Sequence, residues 1–383
     1  MKFDHHLPRK DENQILDKKL SSLFQDLQGK QRRLIGYPCN NNIDYSELYP
    51  FLGMSINNVG DPFSKSSYHL NTREIEQDLI YKFARLMNGD VEETWGYVTN
   101  GGTEGNLYGL FLARELYPKG IVYYSEDTHY SVSKLIRLLG VKSIMLRSDD
   151  KGQLDLEDFE ATLTLNRDVP AIVVANVGTT MTGAVDDIEG IRRICKNLVI
   201  NDLYIHADCA LSGMILPFVD EPQAFNFADG VHSMSISGHK FIGSPIPCGI
   251  VLAQKSNVER ISRAIEYVGA LDTTITGSRN GISPLFLWYA WQKQGFSGFK
   301  VQVEECLSKA QWATDKMNAL GIPAWRHKNS ITVVFERPSA CVIEKWSLAV
   351  EDNKAHLITM QHVDQEMILD LMNDIVAGKE MKA

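Results

Sequence analysis

The 383-residue sequence predicts an α/β fold, with a mainly parallel sheet covered by helices and a small C-terminal α+β domain. Short β-branched runs alternate with amphipathic helical patterns through residues 72–253, which is typical of parallel sheets with helices on both faces. Hydrophobic residues make up 44% and charged residues 23%, an ordinary globular composition. A chain of this length can bury a substantial core.

The elements follow in order along the chain. A helical pattern begins at Thr72, where apolar residues recur with helical spacing at Ile75, Leu79, Phe83 and Leu86. Strands are then predicted at 121–124, 143–146, 171–177, 203–207, 234–237 and 250–253. The helices between them are predicted at 132–139, 156–163 and 188–195. This order gives repeated strand–helix units.

Three regions are expected. Residues 1–60 show no compact domain and are predicted to wrap around a partner subunit, while 61–295 form the large domain. An aromatic helical pattern at 284–294 ends the alternation. The small domain, 296–383, then reads as a helix, a strand at 331–335 and a helix at 363–376.

Charge and cysteine usage exclude several classes of protein. The chain has 39 Lys and Arg against 48 Asp and Glu, a net charge of −9, which argues against binding to nucleic acid or anionic membranes. Six scattered cysteines with no CxxC pair favour a reducing compartment over a disulfide framework or a metal site. No signal-like segment or bilayer-length apolar run occurs. We therefore expect a cytoplasmic protein.

The first candidate motif is the stretch 99–106, Thr-Asn-Gly-Gly-Thr-Glu-Gly-Asn, between a strand-like run and a helix. Glycines let backbone N–H groups approach an anion, and the N-terminus of the helix attracts negative charge. Gly102 and Thr103 are therefore candidate phosphate contacts. The stretch lacks the P-loop lysine and the dinucleotide fingerprint, and a plain strand-to-helix turn is the alternative.

The second motif is His129, which directly follows the strand at 121–124. An imidazole there could stack on a flat ligand or exchange a proton near neutral pH, although a local structural role is the alternative. The third is Asp208, at the end of the strand at 203–207, with small neighbours such as Ala210. It could pair with a cationic ring nitrogen or simply cap the next helix.

The fourth motif is Ser237-Gly238-His239-Lys240, after another buried strand pattern. Lysine avoids interiors unless it is paired or reactive, and loss of hydration lowers its pKa, as in Schiff-base lysines. A hydrated loop lysine is the alternative. Together, a phosphate cradle, a stacking histidine, an aspartate for a ring nitrogen and a reactive lysine predict one cofactor, pyridoxal 5′-phosphate.

The motifs resemble the group II pyridoxal-phosphate-dependent amino-acid decarboxylases, which have the fold-type I, aspartate aminotransferase-like architecture. Within that group they are most similar to the bacterial histidine decarboxylases, and also to the plant serine decarboxylases. The similarity extends from about residue 36 to about 360, and its matching stretches include 36–38, 55–58, 95–106, 127–131, 176–180, 206–208, 211–217, 237–249 and 276–281.

The resemblance implies a role for each matching residue. Lys240 corresponds to the Schiff-base lysine, Asp208 to the partner of the pyridinium nitrogen, and His129 to a catalytic imidazole that stacks on the ring and contacts substrate. Cofactor contacts are implied for a wider set: Gly102, Thr103, His129, Thr180, Asp208, Ala210, Ser237, His239 and Lys240. No metal is implied. The family works as a homodimer with shared active sites, and the segment 276–280 is expected to contribute across the interface.

The implied reaction is decarboxylation of an L-amino acid, with histidine giving histamine as the first choice. The proton donor could be Lys240, His129 or a loop tyrosine. Ile282 stands where the related enzymes usually carry histidine, and Cys209 where many carry alanine or aspartate. Serine, giving ethanolamine, is therefore the alternative substrate.

Two other classes of protein are alternatives. An aminotransferase or another lyase could share the fold, but aminotransferases usually need an arginine to clamp the substrate α-carboxylate. A non-enzymatic binding protein would leave the complete cofactor motif set unexplained.

Overall fold

A mixed seven-stranded sheet forms the centre of the computed structural model, which describes residues 10–261, 263–265 and 270–380. Its strand order is β1-β7-β6-β5-β4-β2-β3. The strands are β1 (Thr94–Thr99), β2 (Ile121–Ser125), β3 (Lys142–Leu146), β4 (Ala171–Asn176), β5 (Leu203–Asp208), β6 (Ser233–Ser237) and β7 (Gly249–Gln254). β7 runs antiparallel to both of its neighbours, β1 and β6. The neighbouring pairs among β2 to β6 are parallel.

Helices cover both faces of this sheet, because its central strands are apolar on both sides. In β4, Val173 and Ala175 join one buried apolar cluster, whereas Ile172 and Val174 join the other. The second cluster receives α3 (Gly102–Leu116), α4 (Ser131–Leu139) and α7 (Lys255–Ile261). The first receives α2 (Arg73–Leu86), α5 (Leu156–Thr164), α6 (Ile188–Asn197) and α8 (Ile282–Ala319). The predicted architecture is confirmed.

The C-terminal region contains a four-stranded antiparallel sheet of order β10-β11-β13-β12. Its strands are β10 (Ala324–Trp325), β11 (Thr332–Glu336), β12 (Ala349–Glu351) and β13 (Lys354–Ile358). The helices beside it are α9 (Ala340–Trp346) and α10 (Gln365–Glu380). The small α+β unit is thus present. The sequence pattern predicted its first helix, which is the second half of α8, together with β11 and α10. The strands β10 and β12 were not predicted, because they are only two and three residues long.

Two further features lie outside these sheets. The N-terminal helix α1 (Lys10–Gln31) precedes an extended segment, and a short hairpin pairs β8 (Arg263–Ile265) with β9 (Ala270–Asp272). α8 bends at Gly295, whose φ of 59° and ψ of −175° interrupt the helix. None of the helices in the described ranges combines the length and apolar character needed to cross a bilayer. The domain boundaries at 60/61 and 295/296 remain predictions, and residues 1–9 and 381–383 lie outside the described residues.

Candidate active site

The predicted site residues converge at the carboxyl ends of the parallel strands, where α/β sheets bind ligands. Asp208 ends β5, Ser237 ends β6, and Lys240 follows Ser237 in the next turn. His129 lies between β2 and α4, and Gly102 begins α3. His129 interacts electrostatically with both Asp208 and Lys240, so these three predicted residues form one cluster.

Helix α3 lies very close to the sheet because of its glycines. A Cβ at Gly105 would come within 2.2 Å of Ser235 Oγ, and one at Gly109 within 2.1 Å of His206 Nδ1. At Gly102 a Cβ would approach Ser237 Oγ to 2.7 Å. A larger residue at any of these positions would therefore push the helix away. The close approach brings the first turn of α3, with the backbone amides of Gly102 and Thr103, beside the ends of β5 and β6.

The Asp208 carboxylate is buried and points towards α3. Its Oδ2 accepts a hydrogen bond of 2.7 Å from Asn106 Nδ2, and its Oδ1 accepts one of 3.2 Å from the amide of Ala210. Asn106 Oδ1 lies 3.0 Å from His206 Nε2, and burial lowers the pKa of His206 to about 4. A neutral, hydrogen-bonded environment therefore surrounds the carboxylate on the protein side.

Burial is the main influence on Lys240. Loss of hydration lowers the pKa of its ammonium group, and the nearby Asp208 carboxylate partly opposes this shift. A lysine with a lowered pKa presents its neutral, nucleophilic form more often at neutral pH. The described environment is therefore suited to amine chemistry at Nζ.

His129 is half-buried at the start of α4. Its Nδ1 accepts a hydrogen bond from the Ser131 amide at 3.3 Å and lies 2.7 Å from Ser131 Oγ. Burial lowers the pKa of His129, and Lys240 acts in the same direction while Asp208 opposes it. Because Nδ1 accepts from the backbone, the neutral ring carries its proton on Nε2.

The remaining predicted residues lie around this cluster. Ala210 accepts from the Ser237 amide at 3.1 Å, and His239 Nδ1 lies 2.9 Å from the carbonyl oxygen of Cys248. Thr103 and Thr180 are both exposed. Among the described residues no hydrogen bond joins Thr180 to Asp208. The contacts of Thr103 and Thr180 with the cofactor remain predictions.

The segment 276–280 packs against residues 57–60. The amide of Asn58 donates to the carbonyl of Arg279 at 3.0 Å, and that of Gly60 donates to the carbonyl of Gly277 at 2.8 Å. The Arg279 guanidinium forms a buried ion pair with Glu76. These contacts fix the shape of the segment within this chain, and its contribution across a subunit interface remains a prediction.

Sequence reasoning did not assign roles to Asn106, His206, Asn176 or Asp186. Asn106 and His206 were visible within motifs, and alternation along β5 places Tyr204, His206 and Asp208 on one face. Asn176 Nδ2 donates to Asp186 Oδ2 at 2.9 Å and to Thr128 Oγ1 at 3.1 Å, which ties down the turn before His129. Nothing in the sequence spacing links position 186 to this turn.

Comparisons with known proteins decide the family. The model of the pyridoxal-dependent decarboxylase conserved domain matches residues 48–335. The chain belongs to the pyridoxal-dependent decarboxylase family. It is thus an amino-acid carboxy-lyase, and its cofactor is pyridoxal 5′-phosphate.

Individual relatives match most of this chain in sequence. A histidine decarboxylase of Acinetobacter baumannii is 51% identical over 345 residues, covering 89% of this chain and 90% of that protein. That of Morganella morganii is 49% identical over 352 residues, covering 91% and 93%. Among solved structures, L-methionine decarboxylase from Streptomyces sp. 590 aligns with a TM-score of 0.89 at 24% identity over 98% of both chains. Glutamate decarboxylase of Lactobacillus brevis gives 0.81 at 17%, over 99% of this chain and 92% of that one. These two structures support the fold.

The residues present fit pyridoxal phosphate chemically. The first turn of α3 offers backbone amides beside Ser237, and glycine at 102 leaves room that a Cβ would fill. Asp208 supplies a buried carboxylate, and Lys240 supplies an amine whose pKa is lowered by loss of hydration. An anion site, a carboxylate and an amine are the three features that a phosphate, a pyridinium nitrogen and an aldehyde require.

Proposed function

We propose that this decarboxylase converts L-histidine to histamine and carbon dioxide. The support for the substrate comes from two relatives, the histidine decarboxylases of A. baumannii and M. morganii. Each is about 50% identical to this chain over about nine-tenths of its length. The support for the chemistry is the cluster of Lys240, Asp208 and His129 at the carboxyl ends of the strands.

We propose the following roles for the site residues. Gly102, Thr103, Ser237 and His239 would hold the phosphate, Ala210 would lie beneath the ring, and Thr180 would contact the ring hydroxyl. Lys240 would hold the aldehyde carbon through Nζ, and Asp208 would face the ring nitrogen. When bound, the cofactor supplies the electron sink that carbon dioxide loss requires.

The protein's own groups would control charge and protons. Asp208 presents a fixed negative charge, which favours a protonated ring nitrogen. His129 is neutral near pH 7 and holds a proton on Nε2, so it can stack on a flat ligand and donate a hydrogen bond through Nε2. Lys240, with its lowered pKa, can also take up or release a proton at Nζ. We favour Lys240 as the proton donor, because its ammonium form becomes a neutral amine when it gives up a proton, whereas a neutral His129 would be left as an anion.

The function is tested by carbon dioxide release from single L-amino acids with cofactor-loaded protein. Histidine should give equal amounts of carbon dioxide and histamine. If serine is decarboxylated and histidine is not, serine is the substrate and the proposed chemistry is unchanged. Formation of a keto acid without carbon dioxide would refute decarboxylation.

Serine is kept as the second candidate because of Ile282. This residue begins α8 and is half-buried, with its amide bonded to Asn280 Oδ1 at 2.8 Å. An apolar side chain there lacks the hydrogen-bonding capacity of the histidine usual in related enzymes, so a substrate contact made by that histidine would be lost. The amino-acid panel separates the two substrates.

We also propose that the enzyme is a cytoplasmic homodimer. Helix α1 carries a stripe of exposed apolar side chains at i, i+4, i+7, i+8 and i+11 spacing. The stripe is formed by Leu16, Leu20, Leu23, Phe24 and Leu27, which are 51–62% exposed in the single chain. Such a stripe normally packs against another surface. All six cysteines are free thiols, which suits a reducing compartment.

Sedimentation equilibrium tests the dimer. Leu20→Glu combined with Leu23→Glu should shift the protein from dimer towards monomer. The matched control, Lys18→Glu on the opposite side of α1, should leave the dimer unchanged. A wild-type monomer, or a double variant that stays fully dimeric, would contradict this proposal.

A further inference from the structure

A row of buried polar side chains leads from the interior of the sheet to Asp208. Tyr204 donates from its hydroxyl to Ser233 Oγ at 2.8 Å, and Ser233 Oγ lies 2.8 Å from His206 Nδ1. His206 Nε2 lies 3.0 Å from Asn106 Oδ1, and Asn106 Nδ2 donates to Asp208 Oδ2 at 2.7 Å. We call these four residues and Asp208 the Asp208 network.

The strand geometry explains why these residues meet. Residues 204, 206 and 208 alternate along β5 and share the face that α3 covers, and residue 233 of β6 pairs with residue 206. Gly109 lets α3 approach closely at His206, so that Asn106 reaches both His206 and Asp208. All five side chains are buried.

The direction of every hydrogen bond in the network is fixed by the charge on Asp208. An ionised carboxylate can only accept, so Asn106 must turn its NH₂ group towards it and its oxygen towards His206. His206 must then carry its proton on Nε2 and accept from Ser233 at Nδ1. Ser233 in turn accepts from Tyr204. Each donor therefore points towards Asp208.

A network with this direction has a specific consequence for Asp208. It satisfies the carboxylate with neutral donors and brings no counter-charge from the protein side, and burial keeps His206 neutral by lowering its pKa. The full negative charge is left for a cation on the open side of the site. A protonated Asp208 that donated to Asn106 Oδ1 would reverse the orientation of Asn106 and place His206 in its other tautomer.

We infer that Asn106 and His206 are positioning residues, which hold the Asp208 carboxylate in the correct orientation for the ring nitrogen of the cofactor. This inference rests on the proposed role of Asp208. Asn106 acts directly on the carboxylate, and His206 acts through Asn106. Ser233 and Tyr204 set the tautomer of His206.

The network can be tested by cofactor binding to the apoprotein, followed by the visible absorption of the bound cofactor across pH. Asn106→Ala removes a hydrogen bond to a charged group and should raise the dissociation constant about 10- to 100-fold. It should also move the pH at which the visible band changes. His206→Phe should act in the same direction with a smaller effect.

A matched pair of tyrosines provides the control. Tyr204→Phe removes the last hydroxyl of the network and should weaken cofactor binding about two- to fivefold, a fraction of the value of one neutral hydrogen bond. Tyr123→Phe removes a buried hydroxyl that has no hydrogen-bond partner within the described residues and should change nothing. Equal effects of these two changes on the dissociation constant of the cofactor would show that the network does not influence Asp208, and they would overturn the inference.

Nitrogen NMR of wild-type holoenzyme gives a measurement that requires no substitution. A neutral His206 with its proton on Nε2 supports the inference, and the Nδ1-protonated form or an imidazolium would overturn it. Wild-type protein that binds no pyridoxal phosphate would refute the proposed function. If the wild-type protein binds pyridoxal phosphate and Asn106→Ala binds it with the same dissociation constant, only the positioning role is overturned.

Discussion

Two buried aspartates, Asp208 and Asp186, each accept a hydrogen bond from an asparagine near the same edge of the sheet. Asp208 accepts from Asn106, and Asp186 accepts from Asn176. The two sites are adjacent, because Asn176 on β4 pairs in register with Asp208 on β5. Despite this similarity, the two carboxylates have different surroundings.

Asp186 is enclosed by the protein. Its Oδ1 accepts from the Leu154 amide at 2.8 Å, and its Oδ2 accepts from both nitrogens of Asn176. Burial raises its pKa to about 6, and the nearby Asp127 adds to this shift. Asp208 instead has a lysine as its charged neighbour. The comparison indicates that a buried aspartate is available for chemistry when a cation faces it, and structural when backbone amides surround it.

Removing the Lys240 side chain should have the largest effect on turnover. Lys240→Ala eliminates the amine that Asp208 has as a neighbour and Asp186 lacks. We expect carbon dioxide release to fall by about 10³-fold or more, in the upper part of the range for loss of a catalytic acid or base. The visible band of covalently attached cofactor should also disappear.

Borohydride reduction and peptide mapping provide the check on attachment. Wild-type protein should yield a modified peptide containing Lys240, whereas the exposed Lys119 should remain unmodified. Near-normal turnover by Lys240→Ala, with Lys119→Ala as the control, would contradict the proposed role of Lys240.

Exchanging each aspartate for asparagine should separate chemistry from stability. Asp208→Asn removes the charge expected to face the ring nitrogen, so turnover should fall about 10²- to 10³-fold. Asp186→Asn places an NH₂ group among donors and should lower the free energy of unfolding by about 1–3 kcal/mol. Turnover per folded molecule should change little in that variant. Urea unfolding and kcat measured on both proteins test this crossover, and equal losses of turnover would erase the distinction.

The pH dependence of stability should report Asp186 directly. The pKa of Asp186 rises from 3.8 to about 6 on folding, so between these pH values the folded protein retains a proton that the unfolded chain has lost. The contribution of this group to the free energy of unfolding is therefore greatest below pH 4, and it falls as the pH rises towards 6. In Asp186→Asn this decline, of the order of 1–3 kcal/mol, should be absent. Unchanged curves would show that Asp186 does not titrate in this range.

The smallest effect is expected at Ile282, which neither aspartate network contacts among the described residues. Ile282→His restores a polar side chain at the start of α8, so we expect the kcat/KM ratio of histidine to serine to change by about tenfold or less. Ile282→Val is the conservative control. A complete switch of substrate would show that this single position determines specificity.

The sequence predicted the strand–helix order well because β4, β5 and β6 are buried on both faces and therefore read as continuous apolar runs. The same reading did not identify the reversed direction of β7, since strand direction depends on partners distant in sequence. Asp208 and Lys240 were found because each follows a strand within a local motif. The link between Asp186 and the turn before His129 depends on the tertiary fold, and it therefore required the structure.

We propose that the enzyme decarboxylates histidine at a site formed by Lys240 and Asp208. The most direct test offers cofactor-loaded enzyme an equimolar mixture of L-histidine and L-serine and counts both amines and carbon dioxide by mass spectrometry. We predict histamine as the main amine, in equal amount to carbon dioxide, with Asp208→Asn at least about 10²-fold slower and Asp186→Asn near the wild-type rate. Ethanolamine as the main product, or amine formation that survives Asp208→Asn unchanged, would contradict the account.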